Sequence, residues 1–182
     1  DSAIKPAFRS KVTGQAVTVQ LSKGDLVDPL KALEMGQEGD VIVVDAGGDL
    51  NTSVCGGLMG GLAQNRGIRG MIVDGAGRDT DELEEINWPI WTRAITPRGT
   101  HTMFSERREE LSINVPIACG GVVVNPGDFI VADLMGVVVV PLESAEEVVR
   151  LAQEQADREV ATRAWVAQGK TVEDLLNEFG RI

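Results

Sequence analysis

The sequence is poor in the residues from which transition-metal centres and histidine triads are built. It holds one histidine, His101, and two cysteines, Cys55 and Cys119. A zinc or iron centre of the usual kind draws several His or Cys ligands, which one chain cannot supply here. A bound ion would instead be magnesium or manganese, held by carboxylates and water. His101 lies in the polar stretch Arg98-Gly99-Thr100-His101-Thr102 and reads as a loop residue or secondary substrate contact rather than a general base. The cysteines stand far apart in apolar, glycine-rich surroundings and read as buried free thiols, which fits a reducing cytoplasm. Bases are scarce: 17 Lys and Arg face 28 Asp and Glu, a net charge of -11. Nucleic-acid binding needs a basic face and is not expected; an acidic surface favours solubility and can attract a basic protein partner. No apolar run approaches the roughly 20 residues of a membrane span. The lysines, Lys5, Lys11, Lys23, Lys31 and Lys170, lie in polar segments, which argues against a Schiff-base amine.

What remains is a globular composition, 43% hydrophobic and 25% charged. A chain of 182 residues can bury a core without disulfides and is read as a single domain, residues 1–182. It opens at Asp1 without a methionine, so targeting cannot be read from this end.

Strand patterns run over Gly14–Leu21, Val41–Val44, Met71–Val73, Ile90–Ile95, Val115–Val124, Phe129–Ala132 and Val137–Val140. Pro116 and Pro126 should mark strand edges or turns. Asp28-Pro29 predicts a helix start and Gly36 its end; a second helix is expected from about Gly57 to Arg66, stopped by Gly67. Thr80 should cap a short third helix through Glu85, and Ser144-Ala145-Glu146-Glu147 reads as a capping box. The box opens a long helix with a stripe at Val148, Ala152, Ala156, Val160 and Ala164; Thr171 begins a last helix ending before Gly180. The pattern predicts an α/β domain with stacked sheets, helices on one side and a long C-terminal helix. Trp88, Trp91 and Trp165 read as packing or interface anchors, the Glu106–Glu110 run as a solvated face, and Asp128 and Asp133 as turn residues.

Two segments can carry chemistry. Asp45-Ala46-Gly47-Gly48-Asp49-Leu50-Asn51, followed by Cys55-Gly56-Gly57-Leu58-Met59-Gly60-Gly61, leaves a buried strand and opens a helix. Its glycines permit close backbone approach, and free N–H groups at a helix start attract anions; tight helix–sheet packing is the other reading. It is neither a Gly-Lys-Ser/Thr phosphate loop nor a G-x-G-x-x-G fingerprint, so a small carboxylate is the expected anion. The second segment, Asp74-Gly75-Ala76-Gly77-Arg78-Asp79-Thr80, ends a strand where α/β folds gather ligands. Arg78 can clamp a carboxylate or carbonyl oxygen, and Asp79 can hold a hard divalent ion; an Arg–Asp turn pair is the alternative.

In this order the chain carries Asp40-Val41-Ile42-Val43-Val44-Asp45-Ala46-Gly47-Gly48, Gly56-Gly57-Leu58-Met59, Arg66-Gly67-Ile68-Arg69-Gly70 and Val73-Asp74-Gly75-Ala76-Gly77-Arg78-Asp79. Pro126-Gly127-Asp128, Ala132-Asp133 and Gly136-Val137-Val138-Val139-Val140-Pro141 follow. The set resembles the family of the regulator of ribonuclease E activity A, which also contains the metal-dependent 4-hydroxy-4-methyl-2-oxoglutarate/4-carboxy-4-hydroxy-2-oxoadipate aldolases. The resemblance implies a swivelling β/β/α fold, part of whose N-terminal region is missing from this chain. It implies a homotrimer or homohexamer with sites at subunit interfaces. In the aldolase branch Arg78 would contact substrate, Asp79 would anchor Mg2+ or Mn2+, and the amides of Leu58, Met59 and Gly60 would hold a pyruvate carboxylate. Glu159 of a neighbouring subunit, with Glu154 behind it, would complete the metal site. Gly57 stands where that branch places an acidic residue, with twenty residues between it and Arg78. Decarboxylation of oxaloacetate asks less of that position than aldol cleavage does. A small 2-oxo acid is the implied substrate; the regulator branch leaves a non-catalytic, ribonuclease-binding protein as the alternative.

Overall fold

Four apolar segments form the centre of the fold in the computed structural model, which describes residues 1–21, 27–100 and 112–180. His101, Lys23 and the Glu106–Glu110 run lie outside the described residues. After a short β1 (Lys5–Pro6) come β2 (Val12–Gln20), α1 (Val27–Met35), β3 (Val41–Cys55), α2 (Gly57–Asn65), β4 (Gly70–Gly77), α3 (Thr80–Glu85) and β5 (Ile90–Ile95). The four strands β2 to β5 lie parallel, joined by the three helices. Then β6 (Ile117–Cys119) and β7 (Val122–Val124) pair as a separate hairpin, and β8 (Phe129–Ala132) and β9 (Val137–Val140) extend the main sheet. The seven-stranded order is β1-β5-β4-β3-β2-β8-β9.

Adjacent residues of a strand face opposite sides, and both sides of this sheet are buried. Ile42, Val44, Met71 and Val73 pack with Ala32, Leu33, Met59, Ala63 and Leu83 of the three helices. Val41, Val43, Ile72 and Trp91 pack with Ile117, Cys119, Val124, Ile130 and Ala132 of the later strands. That is why the runs are continuous rather than alternating. Each fully buried Val, Ile or Leu contributes roughly 1.5–3 kcal/mol. Strand β2 serves both ladders: Val12–Gln15 pair with β8, and Ala16–Gln20 pair with β3. Gly14 sits near the changeover, where a Cβ would lie 2.2 Å from the Gly39 carbonyl oxygen.

The fold differs from expectation in three places. The strand begun at Val41 runs on to Cys55, and its pairing with β4 skips residues: Asp45 faces Asp74, Asp49 faces Gly75, Ser53 faces Ala76 and Cys55 faces Gly77. The residues between bulge out through Gly47 and Gly48, whose φ angles of 61° and 69° suit glycine. The expected Val115–Val124 strand is a hairpin, folded at Gly120-Gly121 with φ of 60° and 77°. Ser144 makes no capping bond; its φ of -101° and ψ of -1° are not the extended geometry that an N-cap hydroxyl needs.

The chain divides into two compact units, Asp1–Leu142 and Glu143–Ile182. In the second, α4 (Ala145–Ala167) has no buried residue, so the Val148–Ala164 stripe is exposed. A capping box forms at α5 (Val172–Phe179) instead: Asp174 N–H donates to Thr171 Oγ1 at 3.2 Å and Thr171 N–H to Asp174 Oδ2 at 2.9 Å. The Trp165 and Phe179 rings meet edge to face at 5.4 Å. Trp88 and Trp91 are buried anchors, donating to the Ile68 and Asp133 carbonyls at 2.7 and 2.8 Å. Asp128 and Asp133 accept turn amides from Asn125 and Met135, each at 2.8 Å. Among the described residues no helix is long and apolar enough to cross a membrane.

Candidate functional site

Cys55 and Gly77 are register partners at the ends of β3 and β4, so the two following segments emerge side by side. One starts α2 at Gly57; the other carries Arg78 and Asp79 into α3. The Arg78 N–H donates to the Cys55 carbonyl at 2.9 Å. The Gly57 N–H donates to Asp79 Oδ2 at 3.1 Å, and Arg78 Nε stands 3.7 Å from the same oxygen. The glycine-rich helix start and the Arg-Asp pair, 22 residues apart in sequence, therefore form one site.

Asp79 is a non-glycine residue in the left-handed region, with φ of 51° and ψ of 43°. That conformation costs roughly 1–2 kcal/mol, and aspartate is among the residues that tolerate it. Asp79 occupies the N-cap position of α3, yet its side chain makes no capping bond there. The carboxylate reaches across to α2 instead. Its Oδ1 has no hydrogen bond among the described residues, and the side chain keeps 32% of its exposure.

The glycines serve both readings made from the sequence. A Cβ on Gly56 would lie 2.4 Å from Asp79 Oδ2, and one on Gly60 would lie 2.3 Å from Leu83 Cδ2. A Cβ on Gly57 would lie 1.9 Å from Glu82 Oε2, so bare backbone is what admits both acidic side chains to the start of α2. One expected donor is corrected. Gly60 N–H is spent on the Gly56 carbonyl at 3.0 Å, in ordinary helical fashion. Leu58 and Met59 retain N–H groups without a partner among the described residues, as the first turn of a helix must. They face a positive helix end suited to a carboxylate. A cavity of about 220 Å³ adjoins them, lined among others by Leu30, Met59, Leu62, Arg78 and Thr100.

Cys55, at the edge of this cavity, is not a nucleophile at neutral pH. Burial, and then the Asp79 carboxylate, push its thiol up to about 12 against the opposing pull of Arg78. Asp45 and Asp49 serve the bulge: Asp45 accepts Gly47 N–H at 2.9 Å and Asp49 accepts Asn51 N–H at 3.0 Å.

Among the described residues no three His, Cys, Asp or Glu side chains converge as a metal cage. A single carboxylate with one oxygen open to solvent fits a hard, hydrated cation that takes its other ligands from water and substrate. On α4, Glu159 meets Gln155 Nε2 at 3.3 Å and Arg163 Nη2 at 3.4 Å, while Glu154 pairs with Arg150. Sequence reasoning missed Glu82. The signal was its spacing: three residues after Asp79, it lies on the same side of the first turn of α3.

Comparison with known proteins places the chain in a family. The chain is 43% identical over 165 residues to a Halalkalibacterium halodurans protein named "Putative 4-hydroxy-4-methyl-2-oxoglutarate aldolase", covering 90% of this chain and 76% of that one. It is 34% identical over 133 residues to a Thermus thermophilus 4-hydroxy-4-methyl-2-oxoglutarate aldolase, covering 73% of this chain and 77% of that one. Among solved structures it superposes on Streptomyces coelicolor RraAS2, described as an unusual member of the RNase ES inhibitor RraA family. The TM-score is 0.77 at 34% identity, over 88% of this chain and 82% of that one. Residues 1–139 match the family model RraA-like, Aldolase/RraA, and the chain belongs to that family.

Proposed function

We propose that the chain is a divalent-metal-dependent lyase acting on pyruvate-derived 2-oxo acids, by oxaloacetate decarboxylation, 4-hydroxy-4-methyl-2-oxoglutarate-type aldol cleavage, or both. One observation carries the reading: the Asp79 carboxylate lies against the start of α2, 3.1 Å from Gly57 N, with the Arg78 guanidinium beside it. A carboxylate, a guanidinium and unpaired peptide N–H groups at one point suit a substrate with a 1-carboxylate and a 2-oxo group.

In this reading Leu58 and Met59 N–H groups bind the substrate carboxylate and fix its orientation. Arg78 faces the 2-oxo oxygen, where negative charge develops as the C3–C4 bond breaks and the electron pair moves toward the enolate. Asp79 would hold Mg2+ or Mn2+, which when bound supplies Lewis-acid polarisation of the 2-oxo group. Leu30, Met59 and Leu62 give the adjoining cavity an apolar wall. A homotrimer or homohexamer, with the partner's Glu159 reaching the site, completes the proposal.

The test is turnover of oxaloacetate and of 4-hydroxy-4-methyl-2-oxoglutarate with Mg2+ or Mn2+, before and after chelation, and in Asp79→Ala. Metal-dependent pyruvate release lost in the variant is the expected result. Chelator-insensitive turnover, or full activity without the Asp79 carboxylate, refutes the mechanism. A second reading, a non-catalytic regulator of a ribonuclease, is supported by the likeness to the Streptomyces member of the RNase ES inhibitor RraA family. Absence of both divalent binding and 2-oxo-acid turnover would favour it.

A further inference from the structure

Aldol cleavage makes a demand that decarboxylation does not. A base must take the proton of the C4 hydroxyl as the C3–C4 bond breaks. Candidate bases at this site are few. Asp79 Oδ2 already accepts the Gly57 N–H and faces Arg78, and its open Oδ1 is the oxygen that the lyase reading gives to the metal. The buried Cys55 thiol is held protonated. Glu82 differs from both. It is an exposed residue on the first turn of α3, and no hydrogen bond or ion pair engages its carboxylate among the described residues. Yet the carboxylate is not splayed into solvent away from the site. Its Oε2 lies 1.9 Å from where a Cβ on Gly57 would stand, and its Cδ lies 2.9 Å from that point. A carboxylate delivered from α3 thus fills the volume that a side chain on the first residue of α2 would otherwise take. That volume lies at Gly57, the residue that precedes Leu58 and Met59 at the start of α2.

We propose that Glu82 is the proton-transfer residue of the site, acting on 4-hydroxy-2-oxo acids from the space left open by Gly57. The proposal rests on the lyase reading above and deepens it. In the cleavage step the C4 hydroxyl proton passes to the Glu82 carboxylate and the O–H bonding pair becomes the new C4=O bond. The C3–C4 pair moves into the C2–C3 bond, and the 2-oxo oxygen takes the charge opposite Arg78. Glu82 then returns its proton to C3 as the C2=O bond re-forms. The products are pyruvate and a carbonyl compound, with no net oxidation and no proton gained or lost. Oxaloacetate needs only the second half, the return of a proton to C3. A glycine where the resemblance places an acid is then not a lesion. It is the room that lets the acid arrive from the neighbouring helix.

The test compares two reactions in one enzyme, with Mn2+ present. In Glu82→Gln, cleavage of 4-hydroxy-4-methyl-2-oxoglutarate is expected to fall by about 10²–10⁴-fold, the usual span for a lost general acid–base. Its pH–rate profile should lose the acidic limb, and exchange of the pyruvate methyl protons with deuterium oxide should slow in parallel by proton NMR. Oxaloacetate decarboxylation shares only the return of a proton to C3 and should fall by about tenfold or less. Moving the carboxylate to the other helix in the double variant Gly57→Asp, Glu82→Ala should restore cleavage and exchange. Unchanged cleavage and exchange in Glu82→Gln, with Asp79→Ala still inactive on both substrates, overturns the role of Glu82 and leaves the lyase reading standing. Equal loss on both substrates also overturns it, because a binding role would be indicated. No metal-dependent turnover of either substrate by the wild-type protein removes the lyase reading and this inference together.

Discussion

Asp79 Oδ2 accepts the Gly57 N–H at 3.1 Å, tying the first turn of α3 to the first residue of α2. One oxygen is spent on holding two βα junctions together and the other is left open. The two roles separate by substitution. Asp79→Asn keeps an oxygen that can accept the Gly57 N–H but removes the charge. Its unfolding free energy should stay within about 0.5 kcal/mol of wild type, while Mn2+ affinity, measured by electron paramagnetic resonance titration, falls at least tenfold. Asp79→Ala should lose both properties, with roughly 1–2 kcal/mol of stability going with the charge-assisted hydrogen bond.

Neighbouring glycines of α2 should respond in opposite directions. A Cβ on Gly60 meets Leu83 Cδ2 at 2.3 Å and Trp88 Cε3 at 3.1 Å, both in the core. Gly60→Ala should destabilise by roughly 1–3 kcal/mol through overpacking, in spite of the gain in helix propensity. Gly61 meets nothing within 4 Å. Gly61→Ala should stabilise by about 0.5–1 kcal/mol. Urea unfolding of the two variants checks the pair, and destabilisation by Gly61→Ala would show that its surroundings are tighter than described.

These two positions also mark what composition alone can and cannot convey. Six glycines between Gly47 and Gly61 announce an unusual segment, but not which of them bend a bulge, admit a carboxylate or face solvent. The buried runs at Val41–Val44 and Met71–Val73 were legible because burial on both faces leaves no polar position to blur them. The end of β3 was not, because its pairing with β4 skips residues and glycines mimic a loop. Arg78 and Asp79 were legible from their place after a strand. Glu82 was not, since its role depends on the distance between two helix starts. Ser144 misled because a capping box is a geometry as well as a spelling, and the backbone there has the wrong ψ.

On the other face of the sheet, Asp74 is a structural acid. Its side chain is 8% exposed, pairs with Arg93, and accepts the Gly120 N–H at 2.6 Å. Arg93 also reaches Asp1 at 2.8 Å, so one carboxylate anchors β5, the β6–β7 hairpin and the residues before β1. Asp74→Ala leaves the Gly120 amide without its acceptor and Arg93 with Asp1 as its remaining carboxylate. It should cost about 1–3 kcal/mol in chemical denaturation, more than any substitution at the more exposed Arg78. A loss below about 1 kcal/mol would mean that water replaces the carboxylate at little cost.

Cys119 makes the alkaline side of the stability curve steeper. Burial, then the nearby carboxylates of Asp74 and Asp45, push its thiol up to about 12. In the unfolded chain the same thiol titrates near ~8.5. The folded state therefore keeps a proton that the unfolded state gives up, and the associated stability is present in full below the unfolded value. As pH rises from about 9 toward about 12 it is lost at up to about 1.4 kcal/mol per pH unit. Cys119→Ala should remove that slope while changing the pH 7 stability only by the small cavity that it leaves. Urea unfolding at pH 8.0, 9.5 and 10.5 should show the wild type and the variant converging in stability as pH rises. Parallel curves would mean that Cys119 ionises as readily folded as unfolded, and that neither burial nor the paired carboxylates hold its proton.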